Sequence, residues 1–126
     1  MQPNKEITLL SKRQGNVEIL SDPNKGVQNA DIIYTDSWMS YQILKNQKEQ
    51  RIKTLHPYQI NKKLMSFANK NAIFMHCLPA QRGYEVTNEV IDSRQSVVFD
   101  QAENRLHAQK ALLLKLKKEG NPSKII

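Results

Sequence analysis

Four short apolar runs divide this chain, and stretches that carry helix-capping residues separate them. The runs lie at residues 17–20, 31–35, 72–76 and 96–99, and their lengths are typical of strands in a buried sheet. Parallel neighbouring strands need a crossover connection, which a helix supplies. The alternation therefore predicts an α/β fold with three layers (αβα), in which helices cover both faces of a parallel, Rossmann-like sheet.

Three polar residues mark the expected helix starts. Asn61 and Thr87 each stand where a side-chain oxygen can accept a hydrogen bond from the first turn of a helix, with Asn61 capping a helix that begins at Lys62. Asp100, followed three residues later by Glu103, predicts a capping box at the start of the longest helix, which should end near Gly120.

The length of 126 residues allows one domain with one modest core. We expect this domain to cover residues 1–120 and a disordered tail to follow at residues 121–126. The strongly polar segment 45–53 predicts a mobile surface loop or a frayed helix.

The charge and cysteine content exclude several classes of protein. The 19 Lys and Arg residues exceed the 12 Asp and Glu residues by 7, but the lysines are scattered without interleaved aromatic residues, which favours a solvated surface over a nucleic-acid site. No apolar run reaches the roughly 20 residues that a membrane helix needs. The single cysteine, Cys77, permits neither an internal disulfide nor a typical structural zinc site. We therefore expect a cytoplasmic protein that binds no membrane and no nucleic acid.

Chemically versatile side chains follow the predicted strands. Asp36 comes directly after the second run, His76 and Cys77 lie at the end of the third, and Arg105 lies shortly after the fourth. Because ligands of open α/β sheets bind beyond the carboxyl ends of the strands, these residues are candidates for a common site.

Each candidate also has a structural interpretation. Asp36 is equally explained as a turn residue that binds nearby backbone N–H groups. Cys77 resembles a small buried apolar residue, and His76 a hydrogen-bonded core residue. The Leu78–Pro79 linkage is by default trans.

Arg105 carries two alternatives of its own. Asp100 and Glu103 can pair with it locally, which offsets the unfavourable position of a cation near a helix start. Alternatively, its guanidinium and the free N–H groups of the first turn converge on a phosphate.

Residues 72–83 read Ala-Ile-Phe-Met-His-Cys-Leu-Pro-Ala-Gln-Arg-Gly, and with residues 85–92 and 96–111 they closely resemble the carboxyl-terminal half of ornithine carbamoyltransferases. Asp-Pro at 22–23 and Ala-Asp-Ile-Ile-Tyr-Thr-Asp-Ser-Trp at 30–38 also fit in order, so the resemblance spans residues 16–114. At the position where this chain has His-Cys-Leu-Pro, the sister aspartate carbamoyltransferases have a motif that resembles His-Pro-Leu-Pro. The cysteine therefore favours a diamine-type acceptor.

The resemblance implies transfer of a carbamoyl group from carbamoyl phosphate to ornithine, giving citrulline and phosphate without a metal or organic cofactor. It implies that Asp36 and Ser40 hold the amino-acid end of ornithine and that Cys77 lies beside the attacking amine. Leu78, aided by a cis bond to Pro79, would offer its carbonyl oxygen to the carbamoyl NH₂ group, and Arg105 would contact carbamoyl phosphate. Cys77 and Arg105 are the implied catalytic residues. The implied substrate-binding set is Asp36, Ser40, Tyr41, His76, Cys77, Leu78, Pro79 and Arg105.

Two departures from the family pattern shape the expected function. Ser-Tyr-Gln at residues 40–42 replaces the usual Ser-Met-Gly, which alters the loop beside the acceptor, although ornithine remains favoured over putrescine. The front half of the family, with its Ser-x-Arg-Thr phosphate loop and the first strand of the ornithine domain, is not found. We therefore expect a fragment whose sheet is incomplete at its N-terminal side.

Two roles remain open for such a fragment. It is either the acceptor-binding part of an enzyme, active in a homotrimer or when an N-terminal half complements it, or a catalytically inactive interaction module. In either role we expect it to lack catalytic competence alone.

Overall fold

The computed structural model describes residues 3–39 and 43–119. In this part of the chain, helices and 3-10 turns flank and separate two strands. In order they are α1 (Lys5–Gln14), α2 (Pro23–Val27), β1 (Ile32–Thr35), a 3-10 turn (Lys45–Gln47), α3 (Lys48–Leu55), a second 3-10 turn (His56–Tyr58), α4 (Lys62–Met65), β2 (Ile73–His76), α5 (Asn88–Ile91) and α6 (Val98–Glu119).

The strands β1 and β2 pair in parallel, from Ile32 opposite Ile73 to Thr35 opposite His76. Side chains alternate between the two faces of a strand. Ile33 and Phe74 accordingly lie buried on one face, whereas Ile32 and Tyr34 are more than half exposed on the other. The predicted α/β fold with a parallel sheet is confirmed, and this arrangement is consistent with an incomplete sheet.

Two of the four predicted strands are wrong. Residues 17–20 are exposed and form no strand, since no described segment pairs with them. Residues 96–99 contribute a single parallel bridge, between Ser96 and Phe74, because α6 already begins at Val98. The backbone of Phe74 nevertheless bonds to both Gln95 and Val97, so this segment lies along the outer edge of β2.

The core lies between the sheet and the short helices. Phe74, Val86 and Val98 are completely buried, and Ile60 forms a parallel bridge with Val86 that joins the segments before α4 and α5. The other members of this cluster are Val27, Ile33, Leu64, Met65, Val90 and Ile91.

The helix-start predictions have mixed outcomes. The Asn61 side chain accepts a hydrogen bond of 2.9 Å from the Leu64 N–H, which confirms the cap of α4. Thr87 precedes α5 as predicted but makes no capping hydrogen bond. The capping box at Asp100 is wrong, because α6 begins two residues earlier and Asp100 lies in its first turn.

The polar segment 45–53 is helical, forming the first 3-10 turn and most of α3, so a loop is excluded there. The expected tail at residues 121–126 lies outside the described residues. No helix of the described part combines the length and the apolar character needed to cross a bilayer.

Candidate functional site

The parallel register of β1 and β2 brings Asp36 and Cys77 together. Thr35 and His76 are the last paired residues, and Asp36 and Cys77 follow them directly. The Cys77 thiol donates a hydrogen bond of 2.9 Å to Asp36 Oδ1. The same oxygen accepts a hydrogen bond of 2.7 Å from the Ser37 N–H.

These hydrogen bonds set the protonation of the pair. The bond from Cys77, with that from the Ser37 N–H, lowers the pKa of Asp36 below its ordinary value. The same bond to Asp36, together with partial burial, raises the pKa of Cys77, although the Tyr34 hydroxyl acts in the opposite direction. At neutral pH the site therefore holds a carboxylate and a protonated thiol rather than a reactive thiolate.

The loop after β2 has an unusual backbone. The Leu78–Pro79 peptide bond is cis, as the family resemblance implied, and Leu78 has φ of +52°. A non-glycine residue in this left-handed region is uncommon. The Leu78 N–H donates to Nδ1 of His76 at 2.8 Å.

His76 is completely buried, which agrees with its interpretation as a hydrogen-bonded core residue. It therefore has no exposed atom for the substrate contact that the family resemblance implied. Its Nε2 faces Oε1 of Glu85, which is also completely buried, at 3.4 Å. Glu85 Oε1 accepts a hydrogen bond of 2.6 Å from the Gln81 N–H. Sequence reasoning missed Glu85, because a glutamate between Tyr84 and Val86 carries no local signal of burial.

Gln101, in the first turns of α6, was also missed. Its side-chain Oε1 accepts a hydrogen bond of 3.0 Å from the His76 N–H, and its Nε2 donates to the Tyr34 hydroxyl at 3.3 Å. The side chain thus takes the place of a backbone carbonyl on the outer edge of β2. This contact fixes α6 at the carboxyl end of the sheet.

Arg105 lies one helical turn beyond Gln101, and residues four apart share one side of a helix. Its side chain is exposed and makes no hydrogen bond or ion pair with another described residue. The local pairing considered above is absent, since Glu103 instead contacts His107 at 3.2 Å. The structure therefore joins Asp36 to Cys77, with no contact from either to Arg105.

Ser40 and Tyr41, two further predicted site residues, lie outside the described residues. Within residues 3–39 and 43–119, no three His, Cys, Asp or Glu side chains are grouped so that they could hold a metal ion.

Comparisons with known proteins agree on one family. The family model for the aspartate/ornithine carbamoyltransferase Asp/Orn binding domain matches residues 1–116. The ornithine carbamoyltransferase of Archaeoglobus fulgidus is 49% identical over 115 residues, covering 90% of this chain and 37% of the relative. That of Methanobrevibacter smithii is 53% identical over 117 residues, covering 89% and 38%.

The solved structures with similar folds agree. The ornithine carbamoyltransferase of Pyrococcus furiosus is 55% identical, with a TM-score of 0.73, over 81% of this chain and 32% of that one. The Giardia lamblia enzyme is 43% identical, with a TM-score of 0.71, over 86% and 33%. This chain spans roughly a third of the length of these proteins.

Proposed function

Because this chain belongs to the aspartate/ornithine carbamoyltransferase family, we propose that it supplies the ornithine-binding part of an ornithine carbamoyltransferase. Residues 1–120 form this domain in our proposal, and the reaction takes place in the cytoplasm. The single observation that carries the proposal is the hydrogen bond between Cys77 and Asp36 at neighbouring strand ends. Names of relatives such as the Archaeoglobus fulgidus enzyme support ornithine as the acceptor.

The proposed reaction joins an amine to an activated carbonyl carbon. The neutral side-chain amine of ornithine attacks carbamoyl phosphate, a nitrogen–carbon bond forms, the bond to the phosphate oxygen breaks, and the amine loses a proton. The products are citrulline and phosphate. Positioning of the two substrates and fixed charges can supply most of the acceleration, so the proposal requires no metal or organic cofactor.

The ends of β1 and β2 suit the acceptor. The Asp36 carboxylate, ionised and exposed, matches the positive charge on the amino-acid end of ornithine, where Ser40 and Tyr41 would also contribute. The protonated Cys77 thiol lies beside this carboxylate, and in our proposal the attacking amine of ornithine lies next to the thiol. Leu78, which a cis bond joins to Pro79, would offer its carbonyl oxygen to the carbamoyl NH₂ group, as the family resemblance implies.

Arg105 suits the phosphate. Its guanidinium is exposed and unpaired among the described residues, and this planar group binds phosphate oxygens through two parallel hydrogen bonds. In the proposed enzyme it contacts carbamoyl phosphate from a position about two turns into α6, while His76 supports the loop from inside.

The chain spans only about a third of the length of its relatives, and in our proposal the remaining carbamoyl phosphate contacts come from outside residues 1–126. We propose that an N-terminal half complements this chain and that the complete enzyme is a homotrimer. Without this half, the chain alone would not turn over substrate.

Co-expression tests the proposal. The chain is produced with the carbamoyl phosphate-binding half of an ornithine carbamoyltransferase, the complex is isolated by size-exclusion chromatography with light scattering, and citrulline is measured. We expect citrulline from the complex with ornithine, little product with putrescine, and none from the chain alone. An assembled complex that forms no citrulline would contradict the proposed activity and favour an interaction module.

Substitutions test the residue roles in the same complex. Arg105→Ala should slow the reaction by about a hundredfold or more, the effect of removing one group that stabilises developing charge. Cys77→Ala should also slow it, without loss of assembly. Arg94→Ala and Ser66→Ala are matched controls at exposed positions and should retain the full rate. Unchanged rates for Cys77→Ala and Arg105→Ala would refute the assigned roles.

A further inference from the structure

Two buried ionisable side chains lie beneath the loop that carries Cys77. His76 and Glu85 each have 0% of their side chain exposed, so neither can touch a substrate. Buried polar groups cost stability unless they are hydrogen-bonded. Both nevertheless retain an atom with no hydrogen-bond partner among the described residues, Nε2 of His76 and Oε2 of Glu85.

The hydrogen bonds of His76 define where its proton lies. Nδ1 accepts the Leu78 N–H at 2.8 Å, so this nitrogen uses its lone pair and carries no proton. The ring proton therefore lies on Nε2, which faces Glu85 Oε1 at 3.4 Å, a contact long for a hydrogen bond. The neutral ring thus presents its N–H side to the buried carboxyl group.

The remaining contacts connect both side chains to the loop backbone. Glu85 Oε1 accepts the Gln81 N–H at 2.6 Å, while His76 holds the Leu78 N–H. Two buried atoms, His76 Nδ1 and Glu85 Oε1, thus accept hydrogen bonds from the N–H groups of the first and last residues of the segment from Leu78 to Gln81. This segment contains the left-handed Leu78 and lies next to Cys77.

We propose that His76 and Glu85 act together as positioning residues, which hold the loop of residues 77–81 in the conformation that places the Cys77 thiol against Asp36 and the Leu78 carbonyl toward the substrates. The catalytic meaning of this inference rests on the proposed function. The conformational part concerns this chain alone. An apolar pair of similar volume would fill the same space, but it would leave the Leu78 and Gln81 N–H groups without acceptors.

Cys77 is the only cysteine of the chain, so its reaction with iodoacetamide reports on the loop directly. Within residues 3–39 and 43–119, the ionisable groups that face the thiol are the Asp36 carboxylate and the Tyr34 hydroxyl. Loss of the loop conformation separates the thiol from Asp36. The midpoint of the alkylation-versus-pH curve should then move to lower pH, because the hydrogen bond to Asp36 raises the pKa of the thiol.

The decisive variants are Glu85→Leu, which removes the acceptor but keeps most of the volume, and Glu85→Gln, which keeps an acceptor oxygen. Amide hydrogen exchange of the 126-residue chain is measured by NMR together with the alkylation curve. In Glu85→Leu the Gln81 N–H should exchange about tenfold faster, the effect expected from losing one hydrogen bond, and the alkylation midpoint should fall. In Glu85→Gln the exchange rate of the Gln81 N–H and the alkylation midpoint should both stay close to those of the unsubstituted chain.

A second pair tests the other end of the loop. His76→Phe removes the acceptor of the Leu78 N–H, whereas His76→Asn places an oxygen near the position of Nδ1. Faster Leu78 exchange in the first variant and its rescue in the second are expected. Folded Glu85→Leu and His76→Phe chains with unchanged exchange and alkylation curves would overturn the proposal.

Circular dichroism and urea unfolding identify variants that fail to fold. If both apolar variants fail, Glu85→Gln and His76→Asn decide: unchanged alkylation curves in both support the proposal, and a shifted curve in either contradicts it. None of these measurements requires turnover. An inactive complemented complex with the expected loop effects would therefore refute the proposed function alone, whereas citrulline formation without loop effects would refute only this inference.

Discussion

The Cys77 thiol and the Asp36 carboxylate, 41 residues apart in the sequence, share a hydrogen bond of 2.9 Å. The contact exists because β1 and β2 are parallel neighbours that end in register, at Thr35 and His76. Each residue alters the other, since the bond lowers the pKa of Asp36 and raises that of Cys77.

Replacing the carboxylate should make the thiol more reactive. In Asp36→Asn the pKa of Cys77 should fall toward its ordinary value, because the group that favours the protonated thiol has lost its charge. Iodoacetamide should then modify Cys77 faster at about pH 8, where the thiolate fraction limits the rate. Asp100→Asn, on α6, is the control and should leave the rate unchanged. An equal or slower rate in Asp36→Asn would contradict this prediction.

The Gln101 side chain should contribute to stability as a substitute for a backbone carbonyl. Gln101→Leu leaves the His76 N–H without its acceptor, which should lower the free energy of unfolding by about 1–3 kcal/mol. Gln101→Glu keeps an acceptor oxygen, so its free energy of unfolding should fall by less. Urea unfolding followed by circular dichroism measures both, and equal losses would show that this hydrogen bond is unimportant.

Replacing Phe74 and replacing Phe99 should have very different effects on the free energy of unfolding. Phe74, with 0% of its surface exposed, packs in the centre of the core, so Phe74→Ala should cost about 3–5 kcal/mol through lost burial and the cavity left behind. Phe99 is 70% exposed, and Phe99→Ala should leave the urea midpoint nearly unchanged. Similar midpoints for the two variants would argue against this core.

Substitutions at Asn61 and Thr87, the two predicted cap positions, should differ in their effect on stability. Asn61→Ala removes the hydrogen bond to the Leu64 N–H and should destabilise the chain by about 1 kcal/mol. Thr87→Val should be neutral or stabilising, because the Thr87 hydroxyl oxygen is buried without a hydrogen-bond partner among the described residues. Thermal unfolding of both variants gives the comparison, and a loss in Thr87→Val as large as that in Asn61→Ala would be inconsistent with it.

The ion pair between Arg82 and Asp92 should make stability depend on pH and salt. Two hydrogen bonds of 2.6 and 2.8 Å join these exposed side chains, and the guanidinium lowers the pKa of Asp92. A lowered pKa means that the contribution is present above the ordinary Asp value and disappears as the pH falls through the folded-state value.

Asp92→Asn should therefore be less stable than the unsubstituted chain at pH 7, with the difference vanishing in acid. The difference should also shrink at about 1 M salt, where exposed charges are strongly screened. Urea midpoints at both pH values and both salt concentrations test this. A difference that persists in acid would assign the effect of Asp92 to something other than its charge.

The sequence alone was sufficient for features that depend on neighbouring residues. The short apolar runs at residues 31–35 and 72–76 predicted β1 and β2. The side-chain chemistry of Asn61 predicted the start of α4, because a cap bonds to a backbone N–H only three residues away. The family resemblance added the cis Leu78–Pro79 bond, and the order of the strand ends suggested that Asp36 and Cys77 would meet. These predictions depend on the local residue pattern, the family resemblance or the parallel direction of the strands. They do not depend on how side chains pack in the core.

Tertiary structure decided the features that depend on distant partners. An apolar run becomes a strand only when another strand satisfies its backbone. Residues 17–20 form no strand because no segment of the described chain pairs with them. Residues 96–99 form one bridge to Phe74 before α6 begins. The burial of Glu85 and the bond from the His76 N–H to Gln101 follow from the packing of segments far apart in the chain. Whether a polar side chain is solvated or enclosed is set by what packs around it, which local residue order does not encode.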